Sequence, residues 1–256
     1  MKKNNLKTRL KNGEICIGAF SNIHHESLVE LSGIAGLDFI IIDAEHSAVT
    51  PQVAEQLFRA AELRDLPTVT RIGEIHPQVI QKYLDAGCQG VLMPMVNTAE
   101  EAKIVVDSVK YPPLGKRGLA GTRSSDYGLF PGGLAEHADF SNKETFVAIQ
   151  IETTKAIENF DDILNVPGID CVFFGPVDLS ASLGVIGQPE HPKVLEVLEI
   201  YGKKAVEKGI VAGTITRDAV AYKKWTDIGF SWLVTGVSNL FVNGVKSYLE
   251  SIKLIK

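Results

Sequence analysis

The sequence predicts a closed (β/α)8 barrel of the TIM type, on three observations. Short apolar runs of strand length alternate eight times with segments that carry apolar residues at helical spacing. The best defined strand–helix–strand unit spans roughly thirty residues, and units of this kind imply parallel pairing. The length of 256 residues suits one barrel domain over the whole chain. An open doubly wound sheet is the alternative, but no G-x-G-x-x-G motif follows the first strand, which counts against its dinucleotide-binding form.

The predicted strands are short and largely apolar. They are expected at residues 15–20, 37–42, 67–72, 90–93, 146–151, 170–174, 210–215 and 232–235. The second is apolar apart from Asp38, and this composition is typical of a strand that is buried on both faces.

The predicted helices follow the strands, and several carry boundary signals. Thr50 precedes a proline at a first helical position, Thr98 and Glu101 fit a capping box, and Gly87 marks a helix end. Helices are expected at residues 28–36, 51–63, 77–84, 99–109, 156–164, 193–208, 217–225 and 240–255. Residues 111–144 form the longest segment without a predicted element, and a loop of this length is usually functional or an oligomer contact.

Composition and charge exclude several function classes. The formal net charge of −5 gives no electrostatic reason for binding nucleic acid or an anionic membrane. The basic N-terminus lacks the apolar core of a secretory signal, and no apolar stretch is long enough to span a bilayer. Cys16, Cys88 and Cys171 are isolated, without C-x-x-C spacing, and predict buried, reduced thiols in a cytoplasmic protein.

Carboxylates occur where the fifth and sixth predicted strands end. Glu152 closes the fifth strand, and Asp178 follows the Gly-Pro pair that closes the sixth. Neighbouring strands lie about 4.8 Å apart, so that both acids can converge at the carboxyl face of the barrel. Together with Gln150 they offer hard oxygen ligands to a divalent cation such as Mg²⁺ or Mn²⁺. The alternative is that each acid only caps the helix that follows it.

Three further candidates lie at the same face. They are Asp43 and His46 after the second strand and Arg71 on the third. Taken singly, each has a structural explanation: a turn for Asp43, a hydrogen bond for His46 and an ion pair for Arg71. Their coincidence with the two acids favours a catalytic site, because active sites of such barrels lie at this face.

This set of residue types suits enolate chemistry. A divalent cation bound to a 2-keto acid polarises its carbonyl group, and a charged Arg71 adds to the stabilisation of the enolate oxygen. A His–Asp pair supplies a base that works near neutral pH. The other way to stabilise such a carbanion is a Schiff-base lysine. No lysine falls inside a predicted strand or at these strand ends, which favours a metal over an imine.

Several motifs resemble the HpcH/HpaI family of metal-dependent, class II pyruvate aldolases. They are DAEHS (43–47), YPPLGKRG (111–118), QIET (150–153) and FFGPVDLSASLG (173–184), together with Arg71. The resemblance extends from about residue 15 to the last helix. It implies a lyase that reversibly cleaves a 4-hydroxy-2-keto acid to pyruvate and an aldehyde through a metal-bound enolate. The keto acid is expected to be of the 4-hydroxy-2-oxoheptanedioate or 2-keto-3-deoxy sugar acid type.

The resemblance also implies a role for each matched residue. Glu152 and Asp178 ligate Mg²⁺, Mn²⁺ or Co²⁺, His46 paired with Asp43 acts as the acid–base, and Arg71 holds the keto oxygen. Gln150 lies beside the keto acid, whose carboxylate is received by backbone groups of Gly175, Pro176, Val177 and Asp178. Arg123, on the long loop, helps to select the aldehyde. A homo-oligomer, in this family often a hexamer, is implied as well.

Two departures from the family pattern bear on substrate range. Val177 stands where family members commonly have alanine, and Val237-Ser238-Asn239 replaces the usual segment after the eighth strand. Two other functions remain as alternatives. One is a CoA-ester lyase of the citrate- or malyl-CoA type, in which GPxDLS-like segments also occur, and the other is a barrel that binds a keto acid without turnover.

Overall fold

The computed structural model describes residues 3–253, and within them eight parallel strands close into a barrel in which each strand pairs with the next along the chain. The strands are β1 (Cys16–Ser21), β2 (Phe39–Asp43), β3 (Thr68–Arg71), β4 (Gly90–Met93), β5 (Phe146–Ile151), β6 (Cys171–Phe174), β7 (Val211–Ile215) and β8 (Trp232–Gly236). β8 pairs with β1 and completes the ring. The predicted (β/α)8 barrel is confirmed.

Helices connect the strands on the outside. They are α1 (Asn5–Lys11), α2 (Glu26–Ile34), α3 (Pro51–Glu62), α4 (Pro77–Asp85), α5 (Ala99–Val109), α6 (Gly133–Glu144), α7 (Thr154–Glu158), α8 (Phe160–Leu164), α9 (Pro176–Ser182), α10 (Pro192–Glu207), α11 (Ala219–Ile228) and α12 (Val237–Lys253). Among the described residues, no helix is long and apolar enough to cross a membrane. The end of the predicted last helix, residues 254–255, lies outside the described part of the chain.

The strands are buried on both faces, as the apolar runs predicted. One set of strand residues, such as Ile40, Val147 and Val172, packs outward against the helices. The other set fills the barrel around Trp232, whose ring lies 5.3 Å from that of Phe39 between centroids. Gly18 makes room for this packing, because a Cβ atom there would lie 2.4 Å from the Phe39 ring.

The amino end of the barrel is closed by α1, which the sequence did not predict. Leu6 and Leu10 of this helix join the apolar cluster inside the barrel. Asn4 caps the helix and donates from Nδ2 to the carbonyl of Gln89, just before β4. Lys7 Nζ lies 2.8 Å from Asp170, just before β6. Helical periodicity over seven residues is too short to read, so only the tertiary contacts reveal this helix.

The segment 111–144 is more regular than expected. It contains the twelve-residue helix α6 and a short 3-10 turn, Arg123–Gly128. α6 begins at two glycines of left-handed backbone, Gly132 at its cap and Gly133 as its first residue, and its buried positions are polar, namely His137, Ser141 and Asn142. A helix whose buried face is polar lacks the apolar stripe by which helices are recognised.

Two buried lysines meet at the amino end of the barrel. Lys110 Nζ donates to the carbonyls of Asn142 (2.9 Å) and Thr145 (2.8 Å). Lys7 Nζ donates to the same Thr145 carbonyl at 3.0 Å. Burial, reinforced by the charge of Lys7, lowers the pKa of Lys110 to about 7. A neutral amine has two N–H donors, which matches the two carbonyls it meets.

We therefore expect the stability of the chain to rise with pH above neutrality. An unfolded lysine has a pKa of about 10.4, so between this value and the folded value the unfolded chain binds one more proton at Lys110. The contribution is on the order of a few kcal/mol. The free energy of unfolding, measured with urea at pH 7 and at pH 9.5, should rise more between these two pH values for the unaltered chain than for Lys110→Met. An equal rise of the free energy of unfolding in both chains would contradict a buried, neutral Lys110.

Candidate functional site

A cavity of about 340 Å³ opens at the carboxyl ends of the strands. Most of the predicted site residues line it, because parallel strands all end at this face. The lining residues are Phe20, His46, Arg71, Gln150, Phe173, Gly175, Pro176, Val177, Asp178, Ile215, Thr235, Gly236 and Asn239. Glu152 lies directly behind the wall formed by Gln150 and Gly175.

Arg71 is held against Asp43 by two hydrogen bonds. These residues end β3 and β2 and face each other in the register of the strands. Arg71 Nε donates to Asp43 Oδ1 at 2.9 Å and Nη2 donates to Oδ2 at 2.6 Å. Burial alone would raise the pKa of Asp43, but the paired guanidinium outweighs it and holds this pKa below its usual value. The Arg71 guanidinium also lies over the Phe20 ring, 4.7 Å from its centroid.

His46 does not form the predicted side-chain pair with Asp43. Both Asp43 oxygens accept from Arg71, and the hydrogen bond between His46 and Asp43 comes from the backbone N–H of His46, which donates to Oδ1 at 3.2 Å. The largely exposed imidazole instead has Nε2 3.7 Å from Oε2 of Glu45. The expectation of a His46–Asp43 pair is therefore corrected to a His46–Glu45 contact.

Glu45 links the arginine to the histidine and was missed as a site residue. Its Oε2 lies 3.3 Å from Arg71 Nε, and its side chain is 18% exposed. Burial raises the pKa of Glu45, against the opposing charge of Arg71. The sequence did carry a signal, since Glu45 stands inside the DAEHS motif between the two residues that were assigned roles.

Glu152 is the most deeply buried carboxylate of the site, at 2% exposure. Its Oε1 accepts the backbone N–H of Met95 at 2.8 Å, and its Oε2 accepts from Gln150 Nε2 at 2.6 Å. Burial, together with the negative charges of Asp178 and Glu45, raises the pKa of Glu152 to about 7 despite these donors. The negative charges around Glu152 therefore favour the binding of a positive charge beside it.

The residues around Glu152 fit a divalent cation. Glu152 and Asp178 are two carboxylates that repel each other, and the buried Oε1 of Gln150 has no hydrogen-bond partner in the described part of the chain. Neither acid is a helix cap, because Thr153 caps α7 and Gly175 precedes α9 at the cap position. Within residues 3–253 no group of three His, Cys, Asp or Glu side chains is placed to hold a metal. A cation would therefore take two carboxylates here and complete its shell with water or substrate.

Arg123 lies away from the cavity. Its Nη2 donates to Glu62 at 2.6 Å and its Nη1 donates to the carbonyl of Ala86 at 2.8 Å, beyond the ends of α3 and α4. Gly87 leaves the space for this contact, since a Cβ atom there would meet Arg123 Nη1. Within one chain the structure does not bring Arg123 to the site, because the loop carrying it folds onto the helix layer.

Lysines are absent from the strands of the described chain and from the cavity lining. The buried amine with a lowered pKa, Lys110, contacts Thr145 at the amino end of β5, opposite the cavity. The lysine whose pKa is lowered therefore lies at the other end of the barrel from the cavity.

Comparison with known proteins identifies chains that this one is similar to. Residues 16–238 match the family model described as HpcH/HpaI aldolase/citrate lyase. A hydroxypyruvate/pyruvate aldolase from Sagittula stellata is 36% identical, with 92% of each chain covered. A 2-keto-3-deoxy-L-rhamnonate aldolase from Salmonella gallinarum is 34% identical over 99% of this chain and 94% of that protein. The crystal structure of an HpcH/HpaI aldolase from Desulfitobacterium hafniense superposes with a TM-score of 0.90 at 36% identity, covering 98% of this chain and 97% of that one.

The absence of a side chain at Gly175 leads to a prediction. A Cβ atom at this position would lie 2.3 Å from Oε2 of Glu152, so Gly175→Ala must displace that carboxylate. We expect the Kd for Mn²⁺, measured by isothermal titration calorimetry, to rise about 10-fold or more. Gly118→Ala is the matched control, because its methyl meets only the end of the Gln81 side chain. Unchanged Mn²⁺ affinity in Gly175→Ala would contradict a metal site at Glu152.

Proposed function

Because the chain belongs to the HpcH/HpaI aldolase/citrate lyase family, we propose that it reversibly cleaves a 4-hydroxy-2-keto acid to pyruvate and an aldehyde with the help of a divalent cation. Family membership confirms the resemblance seen in the sequence and the expectation of an enzyme of the aldolase type. The observation that carries the finer proposal is the buried Glu152 beside Asp178, with the paired Arg71 in the lining of the same cavity.

Glu152 and Asp178 are the residues that would hold the cation, and Mg²⁺, Mn²⁺ and Co²⁺ all suit oxygen ligands of this kind. When bound, the cation acts as a Lewis acid that polarises the keto carbonyl of the substrate. The protein prepares the site beforehand, because Met95 and Gln150 each donate to one oxygen of Glu152 and so fix its plane. An oriented carboxylate needs no reorganisation when the cation binds.

Arg71 stabilises the oxygen on which negative charge develops. Cleavage of the C3–C4 bond leaves its electron pair on the three-carbon fragment, as an enolate whose oxygen is the former keto oxygen. Arg71 stays charged, since Asp43 and Glu45 raise its pKa against the effect of burial. Asp43 and the Phe20 ring fix the guanidinium plane, so that its charge is in place before the reaction begins.

His46 serves as the acid–base group. Its Nε2 accepts the proton of the C4 hydroxyl during cleavage, directly or through a water, and returns it in the reverse direction. Glu45 Oε2, 3.7 Å from this nitrogen, stabilises the imidazolium that forms. This assignment keeps the role expected for His46 and transfers the partner role from Asp43 to Glu45.

The beginning of α9 receives the carboxylate of the keto acid. The N–H of Gly175 is directed at the carbonyl of Ile151, and Pro176 has no N–H group. The free donors in this turn are therefore the N–H groups of Val177 and Asp178, at the positive end of the helix. Gln150, in the adjoining wall, lies beside the same end of the substrate.

A homo-oligomer is also part of the proposal. Almost the whole of α12 is exposed, including its apolar residues Leu240, Phe241, Val242, Val245, Tyr248 and Leu249. An apolar face of this length is typical of a surface that is covered in an assembly. A second copy of the chain supplies the cover, and a hexamer is the state implied by the resemblance. Any role of Arg123 in selecting the aldehyde then needs the site of a neighbouring copy.

A cytoplasmic location completes the proposal. All three cysteines are free and buried, which is the usual state of thiols in a reducing compartment.

The reaction can be tested by measuring pyruvate release from racemic 4-hydroxy-2-oxoheptanedioate. We expect release in the presence of Mg²⁺ or Mn²⁺, its loss with EDTA, and no effect of borohydride, because no lysine lines the cavity. Glu152→Ala should abolish release, because it removes the buried carboxylate that would hold the cation.

Three outcomes would count against the proposed reaction. Pyruvate release that resists EDTA would contradict the role of the cation, and inactivation by borohydride would point to an imine. Failure to release pyruvate from keto acids of several chain lengths, with turnover of a CoA thioester instead, would favour the CoA-ester lyase.

The assembly can be tested at the centre of the exposed face. Phe241→Asp places a charge on the apolar side of α12, where Phe241 is 70% exposed. We expect a smaller particle by size-exclusion chromatography with light scattering, because a buried unpaired charge strongly disfavours association. Asn243→Asp adds the same charge two residues further on, on the opposite side of the helix, and should leave the assembly intact. Identical masses for both variants would exclude this face as the contact.

A further inference from the structure

The loop between β4 and α5, residues 94–98, holds Glu152 from the side away from the cavity. The backbone N–H of Met95 donates to Glu152 Oε1 at 2.8 Å. Met95 adopts the left-handed conformation with φ of +54°, which is uncommon for a residue other than glycine. Such a conformation persists only where surrounding contacts enforce it. The contacts that enforce it therefore bear on the position of Glu152.

Asn97 supplies these contacts, and all its polar groups are used. Its backbone N–H donates to Oε2 of Glu101 at 2.6 Å, and its carbonyl accepts from Nδ2 of Asn159 at 2.9 Å. Its side chain is engaged at both ends. Nδ2 donates to the carbonyl of Met95 at 2.6 Å, and Oδ1 accepts the hydroxyl of Thr153. Asn97 thus joins its own loop to the segment that follows β5.

The side-chain amide acts on both sides of the Glu152 carboxylate. Thr153 directly follows Glu152, and its hydroxyl also accepts the N–H of Ala156 at the start of α7. Met95 carries the donor that meets Glu152 Oε1. One amide therefore contacts both the residue that follows Glu152 and the residue, Met95, whose N–H orients the Glu152 oxygen.

We propose that Asn97 is a positioning residue for the metal-binding carboxylate of Glu152. It contacts neither the cavity lining nor the carboxylate, and acts only through Met95 and Thr153. The inference rests on the proposed function, since it takes Glu152 as a ligand of the cation. Without the Asn97 amide, Met95 is free to leave its left-handed conformation. Glu152 Oε1 then loses the N–H donor that orients it.

The test is a double-mutant cycle on cation affinity, without substrate. Free Mn²⁺ is measured by electron paramagnetic resonance for the unaltered chain, Asn97→Ala, Thr153→Val and the double variant. We expect each single variant to raise the Kd for Mn²⁺ about 10-fold or more, as for other residues behind metal ligands. The double variant should raise the Kd by less than the product of the two single effects, because both single variants remove the hydrogen bond between Asn97 and Thr153.

Two further variants separate positioning from general loosening of the fold. Thr153→Ser keeps the hydroxyl and should retain the affinity of the unaltered chain. Asn165→Ala truncates an amide at the end of α8 that accepts only from the remote Lys208, and should leave the Kd unchanged. Melting temperatures of all variants are recorded alongside. A Kd within twofold of the unaltered value in Asn97→Ala, whatever its melting temperature, would overturn the inference.

The same measurement separates this inference from the proposed function. If the unaltered chain binds no Mn²⁺, the metal site fails and the role of Asn97 fails with it. If the unaltered chain binds Mn²⁺ and releases pyruvate while Asn97→Ala binds equally well, only the positioning role is overturned.

Discussion

The buried carboxylate of Glu152 is the constraint around which this end of the barrel is built. Removing an ionised carboxylate from water is costly unless donors or a cation compensate it. Here two donors compensate it, the N–H of Met95 and the amide of Gln150, and the missing side chain of Gly175 leaves room for the oxygen. The donors leave the pKa near 7, so the protein alone does not complete the balance of charge. The divalent cation that we propose would complete it, and the proposed chemistry of the site follows from this deficit.

A second group of charges is balanced within the chain. Arg71 meets Asp43 in register, and Glu45 adds a further negative charge beside it. The arginine is thus prepared as a fixed positive charge at the cavity wall, while Glu152 and Asp178 form the electronegative counterpart. The keto acid that we propose as substrate would bind with its carbonyl and carboxylate groups between Arg71 and the two acids.

Most of the fold and of the site could be predicted from the sequence, for a common reason. Apolar runs mark buried strands, and the residues that close them must lie at one face. Arg71, Gln150 and Asp178 accordingly line one cavity, and Asp43 contacts Arg71 beside it. The errors have physical causes that sequence spacing does not carry. Arg71 and His46 compete for the Asp43 carboxylate, and the sequence does not show that Arg71 occupies both of its oxygens. The positions of Arg123 and α6 depend on how the long segment 111–144 folds onto the helices. Met95 contributes through its backbone N–H, which its residue type does not indicate.

The position of α1 has a consequence for the order of events at synthesis. This helix is the first described element to leave the ribosome, yet its partners are among the later ones: the backbone of Asn4 donates to Glu144, and Lys7 pairs with Asp170. The contacts span 140 residues or more of sequence, which makes them slow to form. α1 must therefore wait at least until Asp170, just before the sixth strand, has been made. Leu6 and Leu10 also pack in the apolar cluster that contains Trp232 of β8, so that their burial is completed only when β8 is in place.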